Sequence, residues 1–244
     1  YGNMVTITDE VKQSDLANTY SLTDGLLETS ARRVTQYVYN GDYGSNKVKF
    51  GAYYGGSSKR NIKNVDLKNN RKNTWGTGLI FDHEIDSIQN VTVAAGFTRE
   101  ISENANKTAY YSNAYALGLA YNFVHTTYGL DFAHKDTKNK DGAGNKVKNN
   151  EVTAVIRQGL NEDWNVYAMY SYKTEKTLPV GSAYSKSTDR QFLVGTEYYV
   201  FKQGSVKVKP FIEWQATRTK YENTFDKDSG KQLDRSRDFK TVIG

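Results

Sequence analysis

The chain of 244 residues contains no cysteine, which excludes disulfides and thiolate metal sites. It has only two prolines, Pro179 and Pro210, so little interrupts a regular backbone. It also lacks any run near the roughly 18–20 apolar residues that a membrane helix needs. The mean hydropathy is −0.73, too polar for a helical membrane protein but open to a soluble domain or a β-barrel. The net charge of +6 is small for this length and does not imply nucleic acid. The chain starts at Tyr1, without a methionine, and ends at Gly244 inside an apparent strand, as expected of a processed or trimmed chain.

What is abundant is tyrosine, with 19 copies, set in segments that alternate with period two. In 47–55, Val48, Phe50, Ala52 and Tyr54 share one face, opposite Lys47, Lys49, Gly51 and Tyr53. In 164–173, Trp164, Val166, Ala168, Tyr170 and Tyr172 face away from Asn165, Tyr167, Met169, Ser171 and Lys173. The same pattern holds for 74–82, 91–101, 110–123, 126–135, 151–160, 189–201, 206–218 and 237–244, and more weakly for 1–11 and 29–40. Twelve segments of this kind have the length of tilted membrane strands. Residues 108–130 carry no Asp, Glu, Lys or Arg, but their alternation fits two strands and a tight turn better than a helix.

Connections alternate too. Short links at 42–46, 86–90, 124–125, 161–163 and 202–205 separate long polar ones at 12–28, 57–73, 102–109, 136–150, 174–188 and 219–236. That rhythm is the pattern of outer-membrane barrels, with turns periplasmic and loops outside. Trp75, Trp164 and Trp214 fall on the apolar face near strand ends, where interfacial aromatic girdles belong. The expectation is one all-β domain over 1–244: an antiparallel transmembrane barrel of about twelve strands in the cell outer membrane, in contact with its lipid and lipopolysaccharide. Pro210 interrupts 206–218, where a bulge or local defect is expected.

The inward phase predicts the pore lining. Its cations are Arg32, Lys47, Lys49, Lys135, Arg157, Lys173, Lys207, Lys209 and Lys240; its anions are Asp82, Asp131, Glu197, Glu213 and Asp238. Nine against five favours a hydrated, anion-preferring wall, or a lateral ion-pair network. Small inward residues, among them Gly76, Gly78, Ala94, Gly96, Ala114, Ala116, Gly118 and Ala120, leave room for solute or for an inserted segment. The basic stretch 57–73 reads as a solvated outer loop, or as a collector of anionic solutes or lipid phosphates. No histidine of His83, His125 and His134 has metal-ligand spacing or a nearby serine, so no enzyme, metal or cofactor is expected.

The strand count, basic-leaning lumen and tyrosine-rich outer face resemble the small monomeric porins of the oligogalacturonate-specific family. The resemblance implies passive passage of small anionic solutes such as acidic oligosaccharides. It also implies facing basic tracks, for which Arg157, Lys207, Lys209, Lys47 and Lys49 are the counterparts by phase. The rival reading is an autotransporter translocator, with a luminal helix over 14–33 in which Ser14 caps and Leu16, Tyr20 and Leu27 share a face. A third is a non-conducting adhesive barrel. The barrel itself predicts a gel mobility that changes on boiling; predominantly helical circular dichroism would exclude it.

Overall fold

The structure is a computed structural model; it describes all residues except 1, 19–21, 24, 58–69, 105–106, 141–143, 180–183, 204–205 and 225–231. Fourteen strands appear among the described residues: β1 (Gly2–Val5), β2 (Ser30–Tyr43), β3 (Asn46–Gly55), β4 (Asn70–Asp86), β5 (Gln89–Asn104), β6 (Lys107–Phe123) and β7 (Thr126–Asn139), then β8 (Lys146–Gly159), β9 (Trp164–Leu178), β10 (Ser185–Tyr198), β11 (Phe201–Gln203), β12 (Val206–Val208), β13 (Phe211–Glu222) and β14 (Arg235–Ile243). Twelve form a single sheet in the order β1 to β10, then β13, then β14, and every pairing is antiparallel. The edge strands β1 and β14 are not paired with each other.

Alternation places the side chains as the sequence predicts. Exposed Phe50, Tyr54, Trp75, Leu79, Tyr115 and Leu117 form the outer face. The rings of Trp75, Phe97 and Tyr115 run across β4, β5 and β6 with centroids 5.0 Å apart at each step. An exposed apolar surface of this extent, banded by aromatic rings, is what a barrel presents to lipid. No helix among the described residues is long and apolar enough to cross a membrane.

The strands run to 14–17 residues in β4 to β10, longer than alternation suggested. Polar stretches read as loop continue the ladder: 102–109, for instance, carries the ends of β5 and β6. Antiparallel pairing needs no apolar side chains where the backbone bonds are met, so hydropathy underestimates strand length. At Pro210 the expected interruption appears. Residues 206–218 split into β12, which pairs with β11 as a separate two-stranded ribbon, and β13. The Pro210 carbonyl still accepts from the Tyr198 N–H at 3.1 Å.

The largest departures lie at the start of the chain. The strand expected over 1–11 is only Gly2–Val5, and the outer link expected over 12–28 is not outside. At Thr6 the chain turns into the barrel, forms a short 3-10 helix over Ile7–Val11, and returns to the wall at Ser30. The helix predicted over 14–33 is absent among the described residues, which are irregular and then extended. Gly25, with φ of +70°, is one reason. The hydrophobic core is therefore inside the barrel: Ile7, Val11 and Leu27 pack on Ala31, Val34, Tyr53, Ile80, Ala94 and Ala114. Leu22 packs on Val155, Tyr167, Met169 and Leu193.

Leu119 faces lipid on β6, in the apolar band between Tyr115 and Tyr121, while its neighbour Gly118 lies beneath the Val11 carbonyl. Leu119→Arg should destabilise by about 2–4 kcal/mol, the scale for a cation at the bilayer midplane. Against a wet, open lumen Gly118→Arg would be the milder change. With the inserted segment in contact it should instead be at least as damaging, measured by urea unfolding in lipid vesicles.

Candidate functional site

The inserted segment, residues 6–29, lies in a seat made by the absence of side chains. A Cβ on Gly51 would meet Ile7 at 2.9 Å, one on Gly96 would meet Leu27 and Val11 at 2.8 and 2.9 Å, and one on Gly129 the Gln13 carbonyl at 2.5 Å. Across β3 to β7 the pairings Gly51↔Gly78, Gly78↔Gly96, Gly96↔Ala116 and Ala116↔Ala133 form a shelf of small residues at mid-barrel. Of the small inward residues read from the sequence, Gly78, Gly96 and Ala116 belong to this shelf, and Gly118 lies against the Val11 carbonyl.

Polar anchors hold the segment at four places. At its neck, the Thr6 N–H donates to the Thr29 carbonyl at 2.9 Å, and the Thr8 hydroxyl to the Glu28 carbonyl at 2.6 Å, so entry and exit are adjacent. The Gln36 side-chain carbonyl accepts from the Ile7 N–H at 2.7 Å, and Lys49 pairs with Glu10.

Next, Asp131 on β7 accepts from the N–H groups of Gln13 (2.9 and 3.1 Å) and Ser14 (2.8 Å) and from the Ser14 hydroxyl (2.5 Å). A carboxylate gathering several donors is a strong, directional clamp. Further across the lumen, Glu213 accepts from the Asn18 N–H at 2.6 Å, and the Asn18 amide donates to Tyr167 and Glu197, both at 2.9 Å. Glu197, buried to 1% exposure, is balanced by Arg157 and by Lys209 at 2.8 Å.

The last anchor is a four-charge cluster. Arg71 bridges Glu28 at 2.7 Å and Glu100 at 3.0 Å, Lys135 approaches Glu28 at 3.5 Å, and Tyr110 donates to Glu100 at 2.8 Å. Burial, and Glu100 beside it, push the Glu28 carboxyl above its ordinary value against the pull of Lys135 and Arg71. On Lys12 burial works against the charge, but Asp15 and Asp9 outweigh it and raise the ammonium.

The predicted lining residues sort into three groups. Lys49, Asp131, Lys135, Glu213, Glu197, Arg157 and Lys209 take part in these anchors. Lys47 and Asp82 face each other across β3 and β4, and Asp82 also accepts from Thr92 at 2.5 Å. Lys173 lines a cavity of about 200 Å³ near the long-loop end, with Glu151, Glu175, Asp189 and Leu26. Lys207, by contrast, sits exposed on the β11–β12 ribbon opposite Lys202, because Pro210 breaks the strand that was to carry it inward. Lys240 is on the edge strand β14, 3.1 Å from Asp238. Arg32 is on β2, but its side chain lies outside the described residues. So do residues 58–69 of the basic stretch 57–73; of its remainder, Arg71 points inward to the cluster and Lys72 pairs with Glu103 at 2.8 Å.

The excess of wall cations does not survive. Glu100, Glu151, Glu175 and Asp189 also face inward, as do Asp42 and Glu84, and the inserted segment adds Glu10 and Glu28. Strict alternation through 91–101 and 151–160 already carried the signal for Glu100 and Glu151. On the short-turn side of the segment, a cavity of about 350 Å³ is lined by Lys47, Asp82, Glu84, Asp86, Gln89 and Asn122 among others. Polar space therefore lies on both sides of residues 6–29. His83 bonds Asn46 at 2.9 Å, His134 bonds Asn150 at 2.7 Å, and no metal-binding cluster occurs among the described residues.

No protein-family model and no curated protein matches the chain. Solved structures do. The chain is similar to outer-membrane expressed OmpT of Vibrio cholerae, with 15% identity and a TM-score of 0.60, covering 100% of this chain and 74% of that one. In-vitro folded OmpT in its trimer form gives 14% and 0.60 over the same shares. An anion-selective porin from Comamonas acidovorans gives 12% and 0.56, covering 91% of this chain and 63% of that one. These likenesses are of fold. They give the chain the fold of the outer-membrane β-barrels, which together with its apolar outer face places it in the cell outer membrane.

Asp131→Ala should release the Gln13–Ser14 stretch. Hydrogen bonds to a charged group are worth about 1.5–3 kcal/mol each, so local opening should rise by two orders of magnitude or more. Trypsin should then cut after Lys12 in the folded barrel. Unchanged resistance at Lys12 would remove Asp131 from the role of clamp.

Proposed function

We propose that this barrel is a passive diffusion channel for small polar solutes, narrowed from within by residues 6–29. The observation that carries the reading is the pair of polar cavities on either side of a segment held by side chains rather than by a packed helix. A luminal helix was the structural basis of the translocator reading, and the described residues of 14–33 do not form one. No catalytic role is part of this proposal: His83 bonds Asn46, His134 bonds Asn150 and Asp136, and His125 lies exposed at a short turn.

The finer reading, a preference for anionic solutes such as acidic oligosaccharides, draws support from the anion-selective porin among the structural neighbours. The resemblance to the oligogalacturonate-specific porins rests on the sequence pattern alone. The wall charges do not add to it, because most inward cations are matched by an inward or segment carboxylate. Selectivity then follows from what the segment leaves open, with only mild electrostatic bias.

In a planar bilayer the protein should show discrete conductance steps and, in a salt gradient, a reversal potential only slightly displaced from zero. Asp131→Ala should raise the step size or add noise as the segment loosens. A silent bilayer for both proteins would refute the channel. A strong anion preference would refute the account of compensated wall charge while keeping the pore.

A further inference from the structure

The lipid-facing surface of β9, β10, β13 and β14 can be read row by row from the register. Starting near the short turns, successive rows are Trp164 with Tyr198; Val166, Thr196, Ile212 and Ile243; Ala168, Val194, Trp214 and Thr241; and Tyr170, Phe192, Ala216 and Phe239. The next row is Tyr172, Arg190, Arg218 and Arg237. It lies eight residues along β9 from Trp164. At about 3.3 Å per residue and a tilt near 40°, that is about 20 Å up the barrel, close to the upper edge of an apolar band about 25 Å tall.

Three arginines directly opposed on adjacent strands repel one another, and such like-charged pairs weaken a sheet. All three are exposed, and none has a hydrogen bond or ion pair among the described residues. Other cations near this rim are engaged. Arg99 and Lys140 cover the Tyr111 ring at 5.6 and 5.4 Å, and Lys146 reaches Asp136 at 3.4 Å. One row further out, Lys220 and Arg235 are only loosely met by Glu222 (3.5 Å) and Asp234 (3.7 Å).

We propose that Arg190, Arg218 and Arg237, backed by Lys220 and Arg235, form a binding site for the phosphorylated headgroup of an outer-leaflet glycolipid. The planar guanidinium fork matches phosphate oxygens two at a time, and three forks on strands about 4.8 Å apart suit a headgroup with more than one phosphate. The aromatic and apolar rows immediately below, Tyr170, Phe192, Phe239 and Trp214, supply the surface on which its acyl chains lie. That continuity selects a lipid rather than a free anion.

The test uses the purified protein in neutral detergent, with diphosphorylated lipid A as probe and native mass spectrometry as readout. Wild type should bind it about tenfold or more tightly than the triple variant R190Q/R218Q/R237Q, and R190K/R218K/R237K should recover part of the loss. Boiling-dependent gel mobility confirms that each variant is folded. Because the three side chains face lipid, single-channel conductance should not change. Equal lipid A binding by wild type and the glutamine variant would overturn the site, and an altered conductance would overturn its outward placement. If inorganic phosphate at millimolar concentration displaces the lipid completely, the site reads free anions and the lipid assignment fails.

Discussion

Where the segment crosses the lumen, backbone lies almost directly on backbone, and no side chain fits between. Gly129 beneath the Gln13 carbonyl and Gly118 beneath the Val11 carbonyl leave no room for a Cβ, so segment and wall each determine the shape of the other. That closeness lets one carboxylate, Asp131, collect the amides of consecutive residues, since the N–H groups arrive at hydrogen-bond range rather than through water. It also turns the barrel inside out energetically. The outer face keeps its apolar side chains for lipid, and the packed core forms around Ile7, Val11, Leu22 and Leu27 in the middle. Each of these contributes about 1.5–3 kcal/mol relative to exposure in a wet lumen.

The polar anchors explain why so many ionisable groups can face a narrow interior. A charge in a confined space is costly unless it meets water or an opposite charge. Glu197 meets Arg157 and Lys209; Glu28 and Glu100 share Arg71 and Lys135. Removing one member would strand the others, so these groups position the segment as a set. The sheet has a similar demand at its margins. In lipid every backbone polar group needs a partner, and β1 and β14 carry the edge groups that the order of the sheet leaves unpaired.

Much of the sheet was legible because a strand advertises itself locally. The period-two pattern of β3 or β9 follows from the pleat alone, and a turn such as Gly44, with φ of +74°, follows from residue chemistry. The inserted segment had no such signature. Residues 6–29 are mixed polar and apolar without a repeat, and nothing in ITDEVKQSDL separates a loop in solvent from one in a lumen. What did register was its imprint on the wall, the run of small residues on the inner phase of β3 to β7. Lys207 was misplaced because a phase count runs straight through Pro210, whereas the missing N–H ends the ladder there. The charge balance differs at Glu100 and Glu151, which lie on the inward phase at the ends of the stretches that hydropathy marks as strand, while the ladders of β5 and β8 run on past them.

The neck between Thr6 and Thr29 has an evolutionary corollary. The two strands flanking the segment are already in register at Val5↔Ser30, and the ladder continues through the Thr6–Thr29 bond. Whatever lies between those threonines is topologically a cassette. It can lengthen, shorten or change composition while the pairing of β1 with β2, and of every strand after them, stays as it is. A lineage carrying this barrel can thus reshape its interior by editing about two dozen consecutive codons, provided Gly118, Gly129 and Asp131 keep a floor and a hook for the new insert.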